Sequence, residues 1–129
     1  MSFSLSIDDG VLRLDLAGTV TPGELDRIAD AVGEAEDAAA AYPHRVIDLT
    51  GVTRFEVSFD DMFALARRRR ERSQAKPIRS ALVAATPVQL GYARMFQTLN
   101  DHPRITVRIF PDVDGALAWL AEEPPDPGN

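Results

Sequence analysis

A serine near the middle of the chain stands where a helix is predicted to begin. Ser58 is followed by apolar residues at helical spacing, and Asp61 occupies the third position of that helix. As an N-cap, the serine hydroxyl accepts a hydrogen bond from a backbone N–H of the first turn, and Asp61 answers it. The positive end of a helix also stabilises a phosphate, so phosphorylation of Ser58 is a second hypothesis. The carboxylates of Asp60 and Asp61 count against it, because they repel a phosphate.

A basic run follows on the same helix, and it consists of Arg67, Arg68, Arg69 and Arg70. The predicted apolar stripe of the helix consists of Phe59, Met62, Phe63 and Ala66. Successive residues turn by about 100°, so the arginines surround the helix and form no single basic face. The stripe brings Arg69 or Arg70 nearest the core, with a buried stem and a head group in water. The other arginines are solvated, or they contact an anion or a protein partner.

Polar side chains also mark the predicted carboxyl ends of the parallel strands. Ligands of open α/β sheets bind outside these ends. The rim is predicted to carry Asp48, Thr50, Thr53, Thr86 and Asp112. It offers hydroxyls, carboxylates and helix N-termini but no obvious pair of nucleophile and base. The rim therefore favours binding over catalysis.

The composition excludes several classes of function. The 129 residues include no cysteine, so disulfides, thiol nucleophiles and thiolate metal sites are absent. His44 and His102 lie far apart without helical spacing, and we expect no metal site and no cofactor. A formal charge of −6 argues against general nucleic-acid binding. An enzyme is the least favoured hypothesis, because the sequence has no G-x-S-x-G, P-loop or G-x-G-x-x-G motif.

The apolar runs bear on location and domain structure. None approaches the ~20 residues that cross a bilayer, and the first residues lack the pattern of a signal peptide. We therefore expect a cytoplasmic protein that does not span a membrane. The length suits one domain, residues 1–121. The polar, proline-rich residues 122–129 are expected to be a disordered tail.

Alternating apolar residues predict the strands. The segments 3–7 and 12–16 alternate and are joined by an Asp-Gly turn, so they form an antiparallel hairpin. Further apolar segments predict buried strands at 45–49, 80–85 and 105–110. A polar turn that includes Thr50 and Gly51 is predicted after the first of these.

Capping residues predict where the helices begin, at Thr21, Ser58, Thr86 and Asp112. The resulting order is β-β-α-β-α-β-α-β-α. It predicts an α/β domain with a mixed, mostly parallel sheet and the hairpin on its antiparallel side. Within the third helix, the spacing of Gly91 from Val88 and Met95 predicts a place on the packed face, where the missing side chain allows a close approach.

Two segments resemble the signature of the anti-anti-sigma (STAS, SpoIIAA-like) family. They are Asp48-Leu49-Thr50-Gly51-Val52 and Glu56-Val57-Ser58-Phe59. The family has Asp-Leu-Ser-Gly-Val at a strand end and Asp-Ser-Ser-Gly at a helix start, and its second serine, which is phosphorylated, matches Ser58. Val57 and Phe59 depart from that pattern, and Phe59 stands where the family has glycine. The family's element order also agrees over about residues 3–121, and the second half of the chain looks more like a SpoIIAA-like branch not known for the phosphoswitch.

The resemblance implies a non-enzymatic, cytoplasmic regulatory or protein-interaction module. Its partner would be a kinase or an anti-sigma-like regulator, and we expect that partner at the second helix. The alternative is a small-molecule binder that holds an anion, a nucleotide or a lipid at the strand ends. The related CRAL-TRIO lipid-binding architecture makes a lipid conceivable. A homodimer is left open.

Overall fold

Strands and helices alternate in the computed structural model, which describes residues 2–39, 43–70, 77–100 and 104–122. The elements are β1 (Ser2–Asp8), β2 (Val11–Val20), α1 (Pro22–Ala38), β3 (His44–Phe55), α2 (Phe59–Arg70), β4 (Ile78–Val83), α3 (Pro87–Leu99), β5 (Ile105–Phe110) and α4 (Val113–Ala121). The predicted order of elements is confirmed. Within these ranges no helix is long and apolar enough to cross a membrane. His102 and the predicted tail beyond Glu122 lie outside the described residues.

The strands form one sheet in the order β1-β2-β3-β4-β5. β1 pairs antiparallel with β2, and each later pair is parallel. The predicted mixed sheet with an antiparallel hairpin is therefore confirmed. Crossovers between parallel neighbours are right-handed in nearly all proteins. Because the strand order never reverses, such crossovers bring α1, α2 and α3 to the same face of the sheet.

Two hydrophobic clusters occupy the two faces. The cluster on the face of α1 to α3 includes Leu12, Leu14, Leu16, Leu25, Ile28, Leu49, Met62, Leu82 and Phe96. The cluster under α4 consists of Val46, Ala81, Val83, Ala116, Trp119 and Leu120. β3 and β4 contribute to both clusters, which explains why their sequences are apolar without strict alternation. β1 has its serines Ser4 and Ser6 exposed, because the hairpin packs mainly on the α1 side.

β3 is longer than predicted, since it continues past Leu49 to Phe55. The predicted turn at Thr50 and Gly51 is therefore wrong. β2 also extends to Val20, and it supplies paired residues along this whole stretch, with Ala17 opposite Gly51. The pairing of β2 with β3 shifts register twice along this stretch. Gly18 lies at the second shift and has a positive φ of 79°. At each shift β3 carries one residue more than β2, so bulges in β3 itself keep this polar segment in the sheet.

Gly51 is required by the close approach of β2. A Cβ atom built at Gly51 would lie 2.6 Å from the backbone oxygen of Leu16. Real Cβ atoms do not approach a backbone atom so closely, so any side chain here must push the two strands apart.

Gly91 has no such role. It is exposed, and a Cβ atom built there meets nothing within 4 Å. The prediction that Gly91 lies on the packed face is wrong. Val88, whose spacing placed Gly91 on that face, is itself exposed. α3 therefore packs through a different arc of its surface, which includes Ala93 and Phe96.

The two glycines should respond to alanine in opposite directions. We expect Gly51→Ala to lower the free energy of unfolding by about 1–3 kcal/mol, because the methyl group overpacks the strand pair. Gly91→Ala should raise it by about 0.5–1 kcal/mol, because alanine favours the helix and meets no neighbour. Urea titrations of both variants measure these changes, and the same sign for both would contradict this account.

Candidate functional site

Ser58 caps α2 as the sequence predicts. Its Oγ accepts a hydrogen bond from the backbone N–H of Asp61 at 3.1 Å. In return, the Ser58 N–H donates to Oδ2 of Asp61 at 2.8 Å. The Ser58 carbonyl also accepts the first helical bond, from Met62 at 3.1 Å. This reciprocal arrangement is a capping box with aspartate in place of the usual glutamate.

Two phenylalanines lie exposed on the helix that Ser58 begins. Phe59 is 56% exposed and Phe63 is 46% exposed. Their ring centroids are 6.3 Å apart, and they are four residues apart in sequence, so they share one face. The prediction that they join the buried stripe is wrong, because only Met62 and Ala66 of that stripe are buried. The two rings therefore form a small exposed apolar patch at the start of α2.

The arginines that follow point in different directions, as their spacing predicts. Arg68 hydrogen-bonds to Asp30 of α1, and its Nη1 lies 4.0 Å from Oδ1 of Asp26. It therefore joins α2 to α1 on the protein surface. Arg67 is exposed, one helical turn after Phe63. The side chain of Arg70 lies outside the described part of the structure.

Arg69 belongs to a buried ionic cluster with Glu36 and Arg45. These residues are 8%, 1% and 3% exposed, respectively. Arg69 donates to Oε1 of Glu36 at 2.5 Å, while Nη1 of Arg45 lies 3.5 Å from Oε2. Arg45 Nε also donates to Ser80 Oγ at 3.4 Å. The cluster therefore joins α1, α2, β3 and β4. Its charges are paired with one another, as buried charges must be.

This cluster corrects the prediction for Arg69. Arg69, one of the two arginines that the stripe brings nearest the core, does face it, but its head group lies in the protein interior and not in water. It is therefore not available to a partner at the surface. Sequence reasoning missed Glu36, although it follows Val32 by one turn and so continues the apolar stripe of α1. A carboxylate in such a position is the signal for a buried ion pair.

Most of the predicted rim residues form hydrogen bonds with backbone groups close to them in sequence. Asp48 Oδ1 accepts from the N–H and hydroxyl of Thr50 at 2.9 and 2.7 Å. Thr86 and Asp112 are N-caps of α3 and α4. Thr53 is exposed within β3. The strand order has no reversal, so the sheet lacks the crevice in which such folds hold ligands. Ligand binding at this rim stays a prediction.

At the same end of the sheet, the Gln89 side chain bonds the backbone of β3 where β3 has no neighbouring strand. β3 runs beyond the last residue that β4 pairs with, so its edge there has no strand partner. Gln89 Nε2 donates to the carbonyls of Thr50 and Val52 at 3.3 and 3.0 Å. Its Oε1 accepts from the N–H groups of Ala85 and Thr86 at 3.0 and 3.1 Å. One buried amide thus caps α3 and closes the sheet edge.

His44 has a structural role at the opposite end of β3. Its Nδ1 accepts a hydrogen bond from the Arg79 N–H at 2.8 Å, which requires an unprotonated nitrogen. Burial lowers the pKa of His44, and the charge of Arg79 lowers it further. The described residues contain no group of three or more His, Asp or Glu side chains that could hold a metal ion.

Comparison with solved structures identifies the architecture. An anti-sigma factor antagonist from Mycobacterium paratuberculosis is 16% identical, with 94% of each chain covered and a TM-score of 0.62. An uncharacterised protein from Shewanella loihica with a SpoIIAA-like fold is 15% identical, with 92% of each chain covered and a TM-score of 0.62. The anti-sigma factor antagonist SpoIIAA in its unphosphorylated form is 13% identical, with 92% of this chain and 96% of that chain covered and a TM-score of 0.62. The chain has the SpoIIAA-like fold.

The resemblance read from the sequence is therefore confirmed for the fold. No family model and no curated protein matches the chain. Within this SpoIIAA-like fold, the departure at Phe59 has a visible consequence. A glycine there would leave α2 with one exposed ring, whereas Phe59 pairs with Phe63 to form an aromatic surface.

The capping role of Ser58 predicts an order of stabilities. We expect Ser58→Ala to lower the free energy of unfolding by about 0.5–2 kcal/mol, because the helix loses its cap. Ser58→Asp should cost less, because a carboxylate also caps and favours the helix dipole. Ser6→Ala on the exposed side of β1 is the control and should change stability by less than about 0.5 kcal/mol. Equal losses for alanine and aspartate in denaturant titrations would count against the cap.

An isosteric substitution tests whether the buried amide of Gln89 stabilises the fold. Gln89→Glu keeps one acceptor for the α3 cap but turns the amide donor into an acceptor that faces two carbonyls. We expect a loss of about 1–3 kcal/mol at pH 7, because buried carbonyls lose their donor. Acidification that protonates the new side chain should restore part of the loss.

Gln97→Glu is the matched control, because Gln97 donates to a single carbonyl, that of Val107, at an exposed site. It should cost at most about 0.5 kcal/mol. Urea titrations at neutral and acidic pH compare the two variants. Losses of the same size in both would show that the buried bridge contributes nothing special.

Proposed function

We propose that this chain is a non-enzymatic, cytoplasmic regulatory module that binds a protein partner through one side of α2. We call this side the outer face, and it consists of Phe59, Phe63 and Arg67. The observation that carries the proposal is the exposed, stacked pair of phenylalanine rings. Two of the similar structures are anti-sigma factor antagonists, which supports a partner of the kinase or anti-sigma regulator class.

The chemistry of the outer face suits a protein interface. Aromatic side chains and arginine are enriched in the centre of such interfaces, and a few of them supply most of the binding energy. Phe59, Phe63 and Arg67 follow each other at intervals of four residues, so they form one stripe. A partner that covers this stripe removes two rings from water and meets a guanidinium at its end.

The opposite side of α2 is held firmly, which favours binding. Arg68 joins the helix to Asp30, and Arg69 joins it to the buried carboxylate of Glu36. Tyr92 of α3 donates to the carbonyl of Val57, just before the helix, at 2.9 Å. A surface that is ordered before binding loses less conformational entropy when a partner arrives.

Ser58 lies at the N-terminal edge of the outer face, where its modification would alter binding. A phosphate at Ser58 would add about two negative charges beside the carboxylate of Asp61, which already accepts the Ser58 N–H. It would also disturb the capping hydroxyl. We therefore propose that the unmodified serine is the binding-competent form and that phosphorylation, where it occurs, weakens binding.

A small ligand at the strand ends is the second hypothesis, and the structure adds no observation in its favour. Asp48, Thr86 and Asp112 are engaged in hydrogen bonds with nearby backbone groups. If that hypothesis were correct, substitutions at Thr50, Thr53 or Thr86 would abolish binding of the small ligand. Substitutions on the outer face of α2 would leave that binding unchanged.

The decisive experiment removes the aromatic pair. Phe59→Ser with Phe63→Ser should leave stability within about 0.5 kcal/mol, because both rings are exposed. Proteins that the immobilised wild type captures from its host are identified, purified and titrated. We expect the double variant to bind the partner at least about 30-fold more weakly, which corresponds to the loss of one interface hot spot of about 2 kcal/mol.

Two controls define what the loss means. Leu117→Ser removes an exposed apolar side chain on α4, which lies on the other face of the sheet, and should leave affinity unchanged. Arg67→Glu should weaken binding less at high salt, because exposed charges are screened over about 8 Å at physiological ionic strength. Full affinity in the double phenylalanine variant would refute the proposed interface.

A further inference from the structure

The sheet ends at β1, whose outer edge has no neighbouring strand among the described residues. β1 pairs with β2 in a continuous register, without a bulge. Residues 2–7 of this strand carry no charge and include no proline. Proteins commonly block a free strand edge with lysine, proline, a bulge or a covering element, because its unpaired backbone groups attract another strand. β1 lacks the first three of these features.

The opposite edge of the sheet differs. At β5 the side chain of Gln97 donates a hydrogen bond to the carbonyl of Val107 at 3.0 Å. Gln97 belongs to α3, so a helix side chain occupies a backbone acceptor of that edge strand. Arg108 also adds a charge within β5. The edge of β1 is therefore the more open of the two.

The hairpin turn determines which backbone groups of β1 point outward. Residues 9–10 have positive φ values of 50° and 74°, as in a two-residue type I′ turn. In such a turn Asp8 and its partner across the turn form a hydrogen-bonded pair. Pairs with and without hydrogen bonds alternate along an antiparallel ladder. The N–H and C=O groups that point away from β2 are therefore those of Phe3, Leu5 and Ile7.

Two copies of β1 are complementary when they run antiparallel about a twofold axis at Leu5. This register places Phe3 opposite Ile7 of the second copy, and Leu5 opposite its own counterpart. All three residues direct their backbone groups outward, so the two strands form three hydrogen-bonded pairs. An axis at Ser4 or Ser6 gives only two such pairs. The backbone therefore favours the axis at Leu5.

The side chains agree with the same register. Phe3 and Leu5 pack against the core from one face of β1, and Ile7 on that face is 44% exposed. The register sets Ile7 beside Phe3 of the second copy, which removes apolar surface from water. On the other face, the exposed Ser4 meets Ser6 of the second copy. Apolar residues thus meet apolar residues, and serines meet serines.

The distribution of charge also suits a second copy of the chain. The formal net charge is −6, but the segment 3–7 is neutral, so like charges do not meet at the contact. In β2, Arg13 lies opposite Ser6 and Asp15 lies opposite Ser4. Because Ser6 meets Ser4 of the second copy, Arg13 and the Asp15 of that copy stand at the two ends of one row. Opposite charges therefore flank the contact.

We infer that this chain forms a weak homodimer in which two β1 strands join the two sheets into one. A strand of seven residues is about 20 Å long, and the contact is one sheet thick. A stable interface buries about 800 Å² on each partner, so this smaller contact corresponds to a transient dimer. The contact lies at the strand edge and not on α2, so it is independent of the proposed partner surface.

Cysteine pairs test the register, because the chain contains no cysteine of its own. Full-length Ser4→Cys and Ser6→Cys chains, one of them labelled with ¹⁵N, are mixed under mild oxidation and analysed by mass spectrometry. We expect a disulfide-linked heterodimer, since the two positions face each other with Cα atoms about 4.5 Å apart. Each variant alone should cross-link at least about fivefold more slowly.

Sedimentation velocity measures the association itself. We expect the wild type to dimerise with a Kd between about 10 μM and 1 mM, as for a small transient interface. Ile7→Lys places a charge at the edge, and Ile7→Pro removes an outward N–H without loss of a hairpin bond. Each should raise the Kd at least about tenfold. Val88→Lys, at an exposed valine of α3, is the matched control and should leave the Kd unchanged.

Each other result counts against the inference. A wild type that stays monomeric at about 1 mM overturns the dimer. Equal cross-linking in every combination of variants shows random collision, and faster cross-linking of one variant alone overturns the register. A dimer that tolerates both Ile7 substitutions but is lost with Phe59→Ser and Phe63→Ser would use the outer face of α2 instead. If Ile7→Pro fails to fold, Ile7→Lys and the cysteine pairs still decide.

Discussion

Each crossover from β2 to β5 carries the chain to the next strand in the same direction. Right-handed crossovers that never reverse direction bring three helices to one face, and α4 is the one helix of the described residues on the other face. The sheet therefore has no switch point, which removes the usual crevice for a ligand. Charge gathers instead in the layer under α1, α2 and α3, where the ionic cluster lies.

The helix α2 is positioned by ion pairs as well as by apolar burial. Met62 and Ala66 are its buried apolar residues, whereas Arg68 and Arg69 reach α1 through ion pairs. The two phenylalanines of α2 lie outside the core. One side packs over the sheet through Met62 and Ala66, and another side presents the phenylalanine rings to solvent.

Local signals in the sequence predicted the elements well, because strand alternation and helix caps depend on neighbouring residues. The Thr-Pro caps and Ser58 act as expected. Features that depend on distant residues were missed. The length of β3 follows from the extension of β2, and the pairing of Glu36 with Arg69 joins residues far apart in sequence. Periodicity also assigned the phenylalanines of α2 to the wrong face, because apolar residues occupy two arcs of that helix and the phenylalanines lie on the outer one.

The ionic cluster constrains how this sequence can evolve. Loss of one member leaves the others charged in the interior, at a cost of about 3–5 kcal/mol, which is a large share of the roughly 5–15 kcal/mol that keeps a domain folded. Joint replacement of Glu36, Arg45 and Arg69 by apolar residues of similar volume can be neutral or even stabilising. The single-step intermediates are then the least stable sequences on the path between the two end states. The cluster is thus a case of epistasis, in which descendants keep all three residues or exchange them together.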